Sequence, residues 1–231
     1  MALEELHKMF IDACANGEMF LVEDLLEDST INPAYSNSAA LSAAIINEHF
    51  DIVNLLLDDG RVNPADKDNF VIQVASEVDN INLQFLRIYK RLLDDSRVNP
   101  GVDNNYSIRY VSEANSIELF KLLIKHPKVD PSANDNEAIK TATDECNIEI
   151  VKMLLDDERV DPTAENNYAI KSALEQCYMP LLKVYLSNKK VIKSLTYDIL
   201  TLYPAYRAIA YLIEKLKLDS EEELKTCLKI I

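Results

Sequence analysis

Three carboxylate pairs stand out among the residues that could do chemistry: Asp58-Asp59, Asp94-Asp95 and Asp156-Asp157. Paired carboxylates are the raw material of general acid–base catalysis. Here each pair recurs along the chain and is followed by Arg61, Arg97 or Arg159, whereas an active site is normally built once. The recurrence fits a solvated acidic ladder with charge relief from neighbouring bases. Acid at the C-terminal end of a helix opposes the macrodipole at about 0.3–1 kcal/mol per exposed charge. The pairs therefore either sit beyond the last turn and pair with the arginine, or serve solubility or a basic partner; the sequence leaves both open. His7, His49 and His126 show no HxxxH or HExxH spacing, so no metal centre is expected. Cys14, Cys146, Cys177 and Cys227 form no CxxC pair, which points to free thiols. No catalytic residue, cofactor or enzymatic activity is expected.

The elements that carry these residues are set by a repeat. Ile31-Asn32-Pro33, Val62-Asn63-Pro64, Val98-Asn99-Pro100, Val129-Asp130-Pro131 and Val160-Asp161-Pro162 place prolines at spacings of 31, 36, 31 and 31. Eight residues after each proline stand Leu41, Ile72, Ile108, Ile139 and Ile170; eleven after it stand Ala44, Ala75, Val111, Ala142 and Ala173. Projected back from Pro33, the same frame gives Phe10 and Ala13, so one repeat precedes the first marker. Six repeats result, about 4–31, 35–62, 66–98, 102–129, 133–160 and 164–191, which form one array over residues 1–191. Within a repeat, Ala138, Ile139 and Ala142 make a narrow stripe suited to a short helix, and residues 148–155 make a second helix that is apolar around most of its circumference. Proline then holds the chain extended. Two helices this short cannot bury their faces alone, so the repeats must stack on a shared core.

Composition agrees. Against 39 Asp and Glu the 231 residues carry 24 Lys and Arg, a net charge of −15 that disfavours nucleic acid. Only three glycines are present, where about 16 would be average, so glycine-rich phosphate loops lose their main cue. An acidic N-terminus without an apolar region behind it does not read as a secretory signal, and no run approaches about 18 apolar residues. A cytoplasmic protein without membrane contact is expected.

At this point the residues resemble a known family, the ankyrin repeats, whose consensus runs TPLHxAA, xxGH, xEIVKLLL and GADVN. Glu137-Ala138-Ile139-Lys140 stand at TPLH, Ala142-Thr143 at AA, Cys146-Asn147 at GH and Glu149-Ile150-Val151-Lys152-Met153-Leu154-Leu155 at EIVKLLL. Asn16-Gly17-Glu18 and Asn47-Glu48-His49 supply the same turn, and His49 stands at the family's turn histidine. The period is 31 rather than the family's 33, which implies shortened hairpin loops. Thr-Pro is missing throughout, and most turn glycines have become Asn, Asp, Glu or Cys; Asn and Asp tolerate the left-handed conformation. Such glycine-poor repeats look like those of large DNA viruses of amoebae and of some amoebae, which implies a viral protein in the cytoplasm of an infected host cell. Cys146 and Cys177 hold equivalent positions about 10 Å apart in such a stack, beyond the roughly 7 Å reach of a disulfide.

The resemblance implies an all-α, ankyrin-type helix-turn-helix solenoid of about six repeats. Residues 192–231 leave the pattern: Pro204 interrupts it, Tyr197, Tyr203, Tyr206 and Tyr211 crowd it, and Ser220-Glu221-Glu222-Glu223 is a capping box, so a helical C-terminal cap is expected. Five extra residues in repeat three, within 80–93, predict a longer second helix or an extra turn. What the resemblance implies for function is a monomeric, non-enzymatic scaffold that binds another protein, one with a basic surface if the ladder is used, through its concave groove and loop tips. Six residues after the proline stand Ala39, Phe70, Tyr106, Glu137 and Tyr168; ten after it stand Ala43, Val74, Tyr110, Thr141 and Ser172. The candidate binding residues are Phe70, Val74, Tyr106, Tyr110, Lys140, Thr141, Tyr168 and Lys171. The aromatics among them either anchor a partner or pack on the neighbouring repeat. Alternatives are an acidic nucleic-acid-mimicking decoy that blocks a basic protein, with its phosphate spacing in Asp58, Asp59, Asp94, Asp95, Asp156 and Asp157, and a self-assembling structural protein.

Overall fold

The computed structural model describes residues 2–176 and 178–194. Among them are thirteen helices and no strand: α1 Leu3–Asn16, α2 Met19–Glu27, α3 Tyr35–Ile46, α4 Phe50–Asp58, α5 Asp66–Ser76, α6 Leu83–Asp94, α7 Val102–Glu113, α8 Ile117–Leu123, α9 Ala133–Asp144, α10 Ile148–Asp156, α11 Ala164–Glu175, α12 Met179–Tyr185 and α13 Lys189–Ser194. Cys177, Cys227 and the expected cap, from Tyr197 to the box at Ser220, lie outside the described residues; of residues 192–231 only 192–194, the end of α13, are described.

The described residues fall into two compact parts: 2–111 with 118–129, and 112–117 with 130–176 and 178–194. In the first, α1, α3 and α5 pack in series, α2, α4 and α6 do likewise, and α1, α3 and α5 each pack on the helix that follows. In the second, α9 packs on α10 and α11, and α12 packs on both α10 and α11. Helices follow from the spacing of the buried residues. First helices bury pairs such as Ala40-Leu41 and Ala44-Ile45, or Ala138-Ile139 and Ala142-Thr143, four residues apart on one face. The alanines keep backbones close, and each enclosed Leu or Ile contributes about 1.5–3 kcal/mol. Second helices bury triplets such as Ile52, Val53 and Leu56, or Ile150, Val151 and Leu154.

Each proline marker is a specific turn. Asn32, Asn63, Asn99, Asp130 and Asp161 each accept, at the side-chain oxygen, the N–H two residues ahead: those of Ala34, Ala65, Gly101, Ser132 and Thr163, at 2.9–3.1 Å. Proline between them has no N–H to satisfy, so Asn-Pro and Asp-Pro are the dipeptides that close this turn.

The helix that follows begins with a left-handed turn. Residues 36–38, 67–69, 103–105, 134–136 and 165–167 all have φ between 48° and 64°. A left-handed turn costs roughly 1–2 kcal/mol per ordinary residue, less for Asn and Asp. Eleven of the fifteen positions are Asn or Asp, which brings that cost down. The sequence signal for this turn is the Asn-rich run Asn134-Asp135-Asn136 and its equivalents. Between the helices, a single left-handed residue makes the turn: Gly17 at φ 77°, and Glu48, Asn115 and Cys146 at 56–60°. Cys146 is a free thiol there.

Repeat three absorbs its five extra residues in both expected ways. Helix α6 has 12 residues where α4 has 9, the six residues 77–82 lead into it where three lead into α4, and α5 is one shorter, with 11 residues where α3 has 12. Asn82 caps it, accepting the N–H of Phe85 at 2.9 Å. Inside the same stack, Ser107 stands where other repeats have Ala40, Val71, Ala138 and Ala169, and its buried hydroxyl has no hydrogen-bond partner. Ser107→Ala therefore raises unfolding stability by about 1 kcal/mol, read as a higher urea midpoint at unchanged slope.

Candidate functional site

The acidic ladder resolves into two kinds of carboxylate. Asp59, Asp95 and Asp157 follow the last residue of α4, α6 and α10, and each closes a loop with the arginine two residues on. Asp59 accepts the Arg61 N–H at 2.9 Å and Nε at 3.0 Å on Oδ1, and the guanidinium's far nitrogen at 2.6 Å on Oδ2. Arg61 also donates to the carbonyls of Ile31 and Leu26, both at 3.1 Å, so it ties its repeat to the one before. Arg97 repeats this on Val62 O at 3.4 Å. In repeat four Lys128 takes the place of the arginine, with Nζ 2.8 Å from Val98 O and 3.0 Å from Ser96 O, and His126 takes the place of Asp, its Nδ1 accepting the Lys128 N–H. The preceding members differ: Asp58 pairs with Arg91 at 2.6 Å, while Asp94 and Asp156 are exposed.

The arginine hydrogen bonds hold the carboxyls of Asp59, Asp95 and Asp157 below the usual carboxylate range. A pKa depressed in the folded state means stability that is present above the unfolded value near 4 and is lost as pH falls through the folded value. Urea midpoints of the wild type should therefore fall steadily below pH 4. The triple variant Asp59→Asn, Asp95→Asn, Asp157→Asn should show a lower midpoint at pH 7 and a flatter acid limb.

The three histidines act as single links. His7 stacks on Tyr35 with ring centroids 4.3 Å apart and accepts the Asn32 N–H on Nε2 at 3.0 Å. Nε2 of His49 lies 3.0 Å from Ala15 O, and its ring fills the space a side chain at Gly17 would need. In the second part Asn147, at the position of His49, donates to Ser112 O and Glu113 O. Among the described residues no three His, Cys, Asp or Glu side chains are grouped to hold a metal ion, and no helix is long and apolar enough to cross a membrane. Burial pushes the Cys14 thiol up to about 12, which leaves it unreactive.

Of the residues expected to bind a partner, the structure places Tyr106 and Tyr110 together on α7, half-buried, with centroids 5.9 Å apart and planes inclined at 30°. Tyr106 donates its hydroxyl to Glu77 Oε1 at 2.6 Å, at the end of the preceding first helix. Burial and that carboxylate push its pKa up to about 12, so it stays a neutral donor. Phe70 is half-buried with the Lys67 ammonium 4.3 Å above its ring. Tyr168 does in the second part what Tyr106 does in the first, donating to Asp144 Oδ2 at 3.0 Å, with Ser172 donating to the other oxygen. These two tyrosines are thus fixed by the acid of the preceding repeat while part of the ring stays exposed. The other residues fit the expectation less well. Val74 is 7% exposed and belongs to the core because α5 turns that side inward. Thr141 bonds back to its own helix at Glu137 O and Ala138 O. Lys140 pairs with Glu165 at 2.9 Å, only 15% exposed; Lys171 is half-buried.

No protein-family model matches the chain, and no curated protein matches it. The geometry alone carries the functional reading.

Proposed function

We propose that this chain is a divergent ankyrin-type repeat scaffold without enzymatic activity, which binds a protein partner on the exposed side of its first helices. The observation that carries the reading is the Tyr106–Tyr110 pair: two aromatic rings held in place beforehand, one by Glu77, and still partly open to solvent. Rings fixed in this way lose little entropy on binding, which is what makes Tyr an effective interface anchor. The 31-residue period, the alternating helix pairs and the turn residues at Gly17, Glu48 and Cys146 support the repeat type. A phosphate-mimicking decoy is the weaker reading, because Asp59, Asp95 and Asp157 already hold arginines of the chain itself.

Affinity purification from the native cell, comparing wild type with Tyr106→Ala/Tyr110→Ala at fixed salt, tests the proposal. At least one protein should be lost by the variant, with each ring contributing about 1–2 kcal/mol. Identical protein sets for the two would sink it.

A further inference from the structure

Arg91 shows what the groove between neighbouring second helices can hold. Three residues before the end of α6, it lays its guanidinium on α4, donating to Asp58 Oδ1 at 2.6 Å and to Asn54 O at 3.5 Å. In α4 the same place, three residues before terminal Asp58, is occupied by Leu55. No residue of α4 therefore offers a cation to the α2 carboxylates, and the one guanidinium that reaches α2, that of Arg61, meets the Leu26 carbonyl, although α2 presents Glu27 where α4 has Asp58, Glu23 where α4 has Asn54, and Asp24 beside them. The outcome is a groove of about 520 Å³ lined by Glu23, Asp24, Glu27, Asp58 and Asp59, with Leu26 and Leu55 as its apolar part. Asp58 and Asp59 are answered by Arg91 and Arg61. Glu23, Asp24 and Glu27 are exposed and pair with no described side chain. Nor does the local sequence offer cations: residues 1–80 carry three Lys and Arg against sixteen Asp and Glu, whereas residues 81–129 carry eight against five.

We infer that the α2–α4 groove docks a basic amphipathic helix of a partner protein. An apolar side chain of that helix lies on Leu26 and Leu55, and an arginine reaches Glu23 and Glu27 in the way Arg91 reaches α4. The complementarity has three parts: unanswered carboxylates, an apolar floor, and the chain's own demonstration that a guanidinium fits between two such helices. The surface shares no residue with the Tyr106–Tyr110 face and stands whether or not that face binds.

The test is fluorescence anisotropy of a labelled 18-residue Leu/Arg helical peptide with the full chain at 0.15 M salt, beside its Leu/Gln counterpart. Wild type should bind the Leu/Arg peptide at least tenfold more tightly than the Leu/Gln one. Glu23→Gln/Glu27→Gln should weaken binding at least tenfold. Leu55→Arg, which supplies the missing guanidinium from within, should do the same. Asp68→Asn/Asp79→Asn, an equal charge change elsewhere in the same part, should alter binding less than twofold, and Tyr106→Ala/Tyr110→Ala should leave it unchanged. No binding by wild type overturns the inference. So does an equal loss in the Asp68/Asp79 control, or undiminished binding by Glu23→Gln/Glu27→Gln. Circular dichroism melting of Leu55→Arg establishes whether that variant is folded; if it is not, Glu23→Gln/Glu27→Gln decides alone.

Discussion

Gly101→Ala should cost about 2–4 kcal/mol of unfolding stability, a large effect for one added methyl group. A Cβ at this position would lie 2.2 Å from the carbonyl oxygen of Lys128, far inside van der Waals contact, and the obstacle is backbone rather than a movable side chain. The Lys128 segment is itself tied down, by the ammonium on Ser96 O and Val98 O and by the Val129 N–H on His126 O, so moving its carbonyl away strains these bonds. The cause is close approach and not an unusual φ, since only Gly17 among the three glycines has a positive one. Gly60→Ala is the natural control, because its Cβ would meet nothing within 4 Å. That change should stay within about 0.5 kcal/mol of wild type. Urea unfolding of the two variants side by side checks the contrast; similar midpoints would show that the Lys128 loop yields freely.

Asn136→Ala should cost about 2–3 kcal/mol, the largest effect expected of a single polar residue. Two terms add. Asn136 holds φ at 59°, where alanine pays a left-handed penalty of about 1 kcal/mol or more. Its side-chain oxygen also accepts the Asp161 N–H at 2.7 Å, a bond between adjacent repeats whose loss costs about 1–2 kcal/mol. Asn136→Gly separates the terms, because glycine keeps the conformation and removes only the bond; it should fall about midway between wild type and Asn136→Ala in urea midpoint. Equal losses in the two variants would assign the whole effect to the hydrogen bond. Asn69 makes the same link to the Asn99 N–H at 2.6 Å, and His7 supplies it to Asn32 in the first repeat. The position five residues after the proline is therefore a recurrent register lock, and asparagine suits it by combining tolerance of positive φ with an acceptor of the right length.

Much of this architecture was legible in the chain. The proline spacings and the Leu41, Ile72, Ile108, Ile139 and Ile170 series set the period, and the apolar stripes inside each repeat set the order of helices, because a stripe over about 10–20 residues fits only one face of a short helix. The Asp-x-Arg pattern was visible too, but not which acid of each pair closes the loop: that depends on the helix ending one residue earlier. Among site residues, the aromatic character at positions 106, 110 and 168 was readable, whereas the inward turn of Val74 and the involvement of Lys140 with Glu165 were not.

Tertiary structure alone decided the features that join residues about 25–35 positions apart. Alanine, serine and threonine occupy the place of Gly101 in the other repeats, so sequence comparison marks that glycine as replaceable; the approach of the Lys128 carbonyl makes it otherwise. Leu55 and Arg91 look like ordinary variation on two amphipathic helices, yet one leaves carboxylates unanswered and the other answers them. The physical reason is the same in both cases. A repeat's own sequence sets where its helices start and stop, while the distance to the next repeat, and hence which carbonyl, carboxylate or side chain meets which, is fixed only when the helices stack.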